Sequence, residues 1–193
     1  AIVTQPQSRA VIEGTNVTLT VSASGTAPLG YQWRKGGAPI SGATGTSYSL
    51  SNVQATDAGT YTVVVTNAAG SATSANAVLT VNVPPAITVQ PESQAVAAGS
   101  SVTFSVTASG SPVLSYQWRF NGTNLAGATA SSYTLSNVQS AGVGLYSVVV
   151  SNPYGSVTSL EAALTLTGAI VFQDDFETCD LSGWTATAGT NGL

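Results

Sequence analysis

The sequence contains no histidine and very little charge. Its 193 residues include four Lys and Arg against eight Asp and Glu, and charged residues make up 6% of the chain, where about 25% is usual. Without histidine, the chain cannot build a histidine-based catalytic triad or a histidine metal site. Four basic residues cannot form the positive surface that nucleic-acid binding requires, so we expect no nucleic-acid partner.

Cysteine and long apolar segments are also scarce. Cys179 is the only cysteine, which excludes an internal disulfide and a cysteine-only zinc site. No apolar run approaches the roughly 20 residues of a membrane-spanning helix, so no membrane span is predicted. Residues 1–6 lack the basic and apolar regions of a signal peptide. We therefore expect either a processed chain or a segment of a longer one.

One unit of about 85 residues is present twice. Residues 31–34 (YQWR) recur at 116–119, and residues 50–54 (LSNVQ) recur at 135–139, both with a shift of 85. A repeat that keeps its register without a gap indicates two homologous domains. The predicted boundaries are 1–83 for the first domain and 84–167 for the second, followed by a tail at 168–193.

Within each unit, apolar and polar residues alternate with a period of two. Val17, Leu19 and Val21 alternate with threonine and serine, which is typical of half-buried antiparallel strands. Several such strands in about 85 residues predict an all-β fold made of two β-sandwiches. Pro84 and Pro85 join the units, and because consecutive prolines form a semi-rigid extended spacer, we expect an elongated arrangement.

These landmarks resemble immunoglobulin-like domains of the intermediate-set type. Residues 14–21 are similar to strand B, residues 31–33 to strand C with its buried tryptophan, and residues 57–63 to the turn and strand that carry the corner tyrosine. The resemblance covers both units and implies little about function. It implies a structural core formed by Val21, Trp33, Tyr61, Val63, Val106, Trp118, Tyr146 and Val148.

The sequence departs from this family at the disulfide positions. Valine stands where the family usually has its intersheet cysteine pair, at residues 21 and 63 and again at 106 and 148. Losing a native disulfide typically costs about 2–5 kcal/mol, and burying two valines recovers part of that. Disulfide-free units of this kind resemble those of large secreted bacterial proteins. The spacing between Trp33 and Tyr61 also predicts a short or missing strand D.

The tail is acidic and resembles the segment that opens jelly-roll modules in secreted bacterial proteins. It holds half of all the acidic residues. Oxygen ligands of this kind suit calcium, whereas the alternative is a solvated turn, which we favour, so no cofactor is predicted. The weak calcium candidates are Asp174, Asp175, Glu177 and Asp180.

The tail also carries apolar residues that could join this chain to another. Ile170, Val171 and Phe172 form a short β-prone run that could add to an exposed sheet edge of a second copy, and repeated head-to-tail contacts would give a filament. Alternatively, the tail folds onto its own second domain or begins a further one. Cys179 either bonds to another chain or is a lone thiol. The self-association candidates are Ile170, Val171, Phe172, Phe176 and Trp184.

These observations favour a non-enzymatic, extracellular structural or adhesive module without catalytic residues. It could be a subunit of a surface fibre or a spacer in a large secreted protein, with other copies or neighbouring domains as partners. The alternative is an accessory, carbohydrate-binding or spacer region of a secreted polysaccharide-degrading enzyme. Asn16 and Asn121 fit the N-glycosylation pattern. The two alternatives are that these asparagines carry a glycan or that the pattern occurs by chance.

Overall fold

The computed structural model describes residues 1–168, which form two β-sandwiches. The first contains β1 (Ile2–Thr4), β2 (Arg9–Ile12), β3 (Val17–Thr20), β4 (Ser22–Ala23), β5 (Gly30–Lys35), β6 (Ala38–Pro39), β7 (Ser47–Leu50), β8 (Gly59–Asn67), β9 (Gly70–Thr73) and β10 (Ala77–Asn82). The second contains β11 (Ala86–Val89), β12 (Gln94–Val96), β13 (Val102–Ser105), β14 (Thr107–Ser109), β15 (Ser115–Phe120), β16 (Thr123–Asn124), β17 (Ser132–Leu135), β18 (Gly144–Asn152), β19 (Gly155–Thr158) and β20 (Ala162–Leu166).

The larger sheet of the first sandwich has the strand order β2-β10-β8-β5-β6, and β9 pairs with the C-terminal part of β8. β2 runs parallel to β10, whereas the other pairs in this sheet are antiparallel. The facing layer consists of the antiparallel pairs β1–β4 and β3–β7, and only Val21 separates β3 from β4. The second sandwich repeats every one of these pairings with β11–β20.

The strands form where the sequence alternates. In β3, Val17 and Leu19 are buried while the threonines between them are exposed, because successive side chains of a strand point to opposite faces. The predicted all-β fold of two tandem sandwiches is confirmed. Residues 40–46 contain no strand, so strand D is missing. The helical structure of residues 1–168 is limited to the single 3₁₀ turns Ala55–Asp57 and Ser140–Gly142, and none of it is long or apolar enough to cross a membrane.

The two tryptophans lie at the centres of the two cores. Trp33 and Trp118 are both 0% exposed. Their indole Nε1 groups donate hydrogen bonds to Gly45 O at 3.0 Å and to Ala130 O at 2.9 Å, so burial leaves no unpaired donor. The other residues proposed for the cores are buried as well: Val21, Tyr61, Val63, Val106, Tyr146 and Val148.

The segment between the sandwiches is held by the second one. Val83 N donates to Ser111 Oγ at 2.9 Å, and Ser111 N donates back to Val83 O at 2.9 Å. Asn152 Nδ2 donates to the same Val83 carbonyl at 2.8 Å. The linker is therefore fixed to the loops of the second sandwich by three hydrogen bonds.

Candidate interaction surface

A tyrosine closes the same corner in both sandwiches. Tyr61 Oη donates to Asp57 O at 2.7 Å, and Tyr146 Oη donates to Gly142 O at 2.8 Å. Burial is the largest cause that raises the pKa of Tyr61 from 10.0 to about 12, with smaller contributions from Tyr48 and Asp57. Burial likewise raises the pKa of Tyr146. Both hydroxyls thus serve as neutral structural donors.

The carboxylates of the first sandwich bind backbone groups. Asp57 Oδ2 accepts from Gln54 N at 2.8 Å, and Glu13 Oε1 accepts from Ala55 N at 3.2 Å. The second sandwich has Ala98 and Gly142 at the positions equivalent to Glu13 and Asp57, so it repeats neither contact. Within residues 1–168, no three His, Cys, Asp or Glu side chains cluster closely enough to hold a metal ion. The placement of these acids indicates structural roles.

The stability of the first sandwich should fall as the pH rises from 10 to 12. The unfolded chain releases the Tyr61 proton near pH 10, whereas the folded chain retains it to about pH 12, so deprotonation favours unfolding in that interval. Tyr61→Phe should lower the free energy of unfolding at pH 7 by about 1 kcal/mol and flatten the alkaline loss. Urea unfolding at pH 7 to 12 measures both effects. Tyr31→Phe is the control, because Tyr31 is a half-buried tyrosine of the same core that is not among the causes of the Tyr61 shift. An equal flattening in this variant would contradict the assignment.

The larger sheet of the first sandwich has a face that points away from the core, which we call the outer face. It includes Gln32, Thr62, Val64 and Val78, which alternate with inward-pointing neighbours on β5, β8 and β10. Gln32 lies opposite Val64, and Val64 lies opposite Thr73 on β9. Apart from Arg34, the strands present uncharged side chains on this face.

The second sandwich has an equivalent outer face on β15, β18, β19 and β20. Gln117 lies opposite Val149, and Val149 lies opposite Thr158. Large apolar side chains are exposed on both outer faces: Ile12 at 42% and Val78 at 45% in the first sandwich, and Leu145 at 40% in the second. The two faces thus share their strand register, whereas their exposed apolar side chains stand at different positions.

Each outer face carries one arginine, and its surroundings limit its exposed charge. Arg119 Nε donates to Asn124 Oδ1 at 2.9 Å. Arg34 lies between Thr62 and Pro39 in the sheet register, and its Nε is buried without a hydrogen-bond partner among residues 1–168. One arginine is little charge for a solvent-facing sheet, since such sheets usually carry lysine and other charges that oppose association.

Some residues proposed from the sequence lie outside the described part of the chain. The calcium candidates Asp174, Asp175, Glu177 and Asp180 belong to this group. So do Cys179 and the self-association candidates Ile170, Val171, Phe172, Phe176 and Trp184. These assignments stay predictions.

Two kinds of side-chain hydrogen bond to backbone amides, each present in both sandwiches, were not identified from the sequence. Ser74, which is buried, accepts at its Oγ from Val63 N at 3.0 Å, and Ser159 does the same for Val148 N. Gln5 Oε1 accepts from Ala75 N at 2.9 Å, as Gln90 does from Leu160 N. The repeated Gln-Pro pair at residues 5–6 and 90–91 was the sequence signal for the second kind of hydrogen bond, but the partner lies 70 residues away.

Comparison with protein families gives one match to each unit. The family model described as an immunoglobulin domain matches residues 1–67 and residues 84–152. Together these segments cover more than half of the chain. Each contains the tyrosine corner and the first eight strands of its sandwich.

Three curated relatives illustrate the range of similar proteins. Mouse leucine-rich repeats and immunoglobulin-like domains protein 3 is 28% identical over 86% of this chain and 17% of its own length. Mouse cell adhesion molecule DSCAML1 is 34% identical over 59% of this chain and 6% of its own length. The decoration protein of Escherichia phage T5 is 46% identical over 31% of this chain and 37% of its own length. The chain thus spans less than half the length of each.

A solved structure of similar extent has the same fold. The structure of DIP-gamma IG1+IG2 matches with a TM-score of 0.72 and 16% sequence identity, over 87% of this chain and 97% of that chain. At this identity, the likeness concerns the arrangement of the backbone.

Proposed function

Since the chain belongs to the immunoglobulin-domain family, we propose that it is a non-enzymatic adhesive module whose outer faces bind sandwiches of the same kind. The observation that carries this proposal is the pair of outer faces, each with one arginine as its formal charge and with exposed apolar side chains beside short polar ones. The similarity to DSCAML1, named a cell adhesion molecule, supports the same reading.

The composition of the outer face suits burial against another protein surface. The centres of protein interfaces are depleted in charged residues, because removing an unpaired charge from water is costly. Thr62, Val64 and Val78 present no formal charge, so covering them requires little desolvation of ionic groups. Since both sandwiches carry such a face, a chain with two faces can bind bivalently, which strengthens weak contacts by raising the effective concentration.

The polar chemistry of the described residues supports a binding role over catalysis. Glu13 and Asp57 accept hydrogen bonds from backbone amides, and Tyr61 and Tyr146 donate to backbone carbonyls. Each of these groups is used to hold a turn or a corner. A general acid or base must instead reach a substrate proton with its free atoms.

We propose that the module acts outside the cell. It would be a repeated unit of a larger surface or secreted protein, such as a surface fibre. Uncharged strands rich in Thr, Ser and Val support this setting, as does a linker that is held by hydrogen bonds. The valines at the disulfide positions and the phage relative support a bacterial or phage source and intermediate-set-like units without the cystine.

Adding charge to both outer faces should reduce self-association at least tenfold. Val64→Lys with Val149→Lys places an ammonium group at the centre of each face, where a partner would have to desolvate it. Light scattering after size-exclusion chromatography of the full chain, over a concentration series, measures the association constant. We expect the mass of the unsubstituted chain to rise with concentration.

The matched control adds the same two charges to the other layer. Thr20→Lys with Ser105→Lys changes exposed positions of β3 and β13 and should leave association unchanged. Equal association in both double variants, or a monomeric unsubstituted chain at every concentration, would refute the proposed role of the outer faces.

A further inference from the structure

The linker is seated in a site built by two loops of the second sandwich. Pro84 and Pro85 follow Val83 across this site in direct contact with glycines. A Cβ atom built on Gly110 would lie 3.0 Å from Pro84 O and 3.0 Å from Pro85 Cα, and one built on Gly155 would lie 3.3 Å from Pro84 Cβ. The absence of side chains at the two glycines is therefore what lets the proline segment approach.

The first sandwich builds the same site from equivalent residues. A shift of 85 relates Gly110 to Gly25, Ser111 to Thr26, Asn152 to Asn67 and Gly155 to Gly70. These four residues of the first sandwich line one pocket of about 380 Å³, which also includes Ala1. Gly25 and Gly70 keep its floor free of side chains, and both have positive φ values, 155° and 141°. The glycines thus preserve the shape of the linker site.

The polar groups of the pocket are already oriented as in the occupied site. Asn67 Nδ2 donates to Thr26 O at 3.0 Å, as Asn152 Nδ2 does to Ser111 O at 3.0 Å. Asn67 Oδ1 accepts from Ala69 N at 3.0 Å, as Asn152 Oδ1 does from Tyr154 N at 2.9 Å. In the second sandwich, the Asn152 amide also holds the Val83 carbonyl. The Asn67 amide is fixed in the position needed for the same contact.

We propose that this pocket binds an extended Val-Pro-Pro type segment, supplied by the linker of another sandwich of this kind. Thr26 N and Asn67 Nδ2 donate to the carbonyl that corresponds to Val83 O, and Thr26 Oγ1 accepts from the amide that corresponds to Val83 N. Ala1, which lines the pocket, corresponds to Ala86, the residue that follows Pro85 in the occupied site. Sandwiches can therefore be joined in series with the same geometry at each junction.

An extension that copies residues 82–85 tests the proposal. The full chain is prepared with Asn-Val-Pro-Pro joined to Ala1, and amide hydrogen exchange is followed by NMR. The Thr26 amide should exchange roughly 3- to 10-fold more slowly than in a chain extended by Gly-Ser-Gly-Ser, because it gains a carbonyl acceptor. The Ser111 amide, whose acceptor is Val83 O, is an internal reference in each sample.

Two substitutions report on the asparagine. Asn67→Ala in the extended chain should lose part of the protection at Thr26, and Asn152→Ala should have the matching effect at Ser111. The proposal is overturned if the Thr26 amide exchanges equally fast in the chains with the two extensions. The exchange rate of the Thr26 amide is measured within one chain. The result therefore does not depend on whether the outer faces bind another sandwich.

Discussion

Trp33→Ala should lower the free energy of unfolding of the first sandwich by about 3–5 kcal/mol. Trp33 is fully buried, its ring centroid lies 6.2 Å from that of Tyr48, and its Nε1 hydrogen bond to Gly45 is lost with the ring. Removing this side chain opens a cavity between the sheets where a disulfide-free sandwich has no covalent support. Because domains of this size are stable by about 5–15 kcal/mol, the loss is a large part of the total.

Urea unfolding of the full chain measures this effect. Tandem domains need not unfold in one step, so we expect the variant to show an early transition of the first sandwich, followed by the transition of the second, which still reports through Trp118 fluorescence. Val78→Ala is the control, since this side chain is 45% exposed, and it should change stability by less than about 1 kcal/mol. A Trp33→Ala variant as stable as this control would show that the core assignment is wrong.

Introducing the missing cystine should stabilise the first sandwich by about 2–4 kcal/mol. The change is Val21→Cys with Val63→Cys in a Cys179→Ser background, which leaves a single pair to oxidise. Both valines are buried in the same core, and the bond would close a loop of about 40 residues, which restricts the unfolded chain. The urea midpoint with and without reductant gives the gain directly.

The reduced form of the same variant is the matched control. It should be less stable than the unsubstituted chain, because each cysteine fills less of the core than the valine it replaces. Val106→Cys with Val148→Cys offers the same comparison in the second sandwich. If the cysteines fail to bond, or if oxidation lowers the midpoint, residues 21 and 63 do not face each other with the Cβ separation that a disulfide requires.

Much of the fold could be predicted because its determinants are local. Val17 and Leu19 alternate with threonine, and Trp33 and Tyr61 stand at the spacing of a sandwich with a buried tryptophan and a corner tyrosine. Such patterns depend on neighbours within a few residues, so they are visible in the sequence. The repeat of 85 residues then doubled each observation, since a pattern that recurs in register is evidence for one structure formed twice.

The candidate surfaces could be predicted only in part. The alternation of β8 predicts that Val64 points away from the core, which is where the structure places it. The exposure of Val78 and Leu145 could not be read from the sequence, because it depends on what neighbouring strands cover. The linker site could not be predicted from the sequence either, because two loops and the linker form it together. Its glycines and its asparagines, Asn67 and Asn152, do recur with the shift of 85.

The all-β class and the core residues follow from the short-range alternation of apolar and polar residues, and the two units follow from the repeat. The backbone groups that the polar side chains bind depend instead on the tertiary structure. Gln5 reaches Ala75 and Asn152 reaches Val83, across 70 and 69 residues. A hydrogen bond needs atoms within about 3 Å, and which distant atoms come that close is fixed only when both sheets have packed around Trp33 and Trp118.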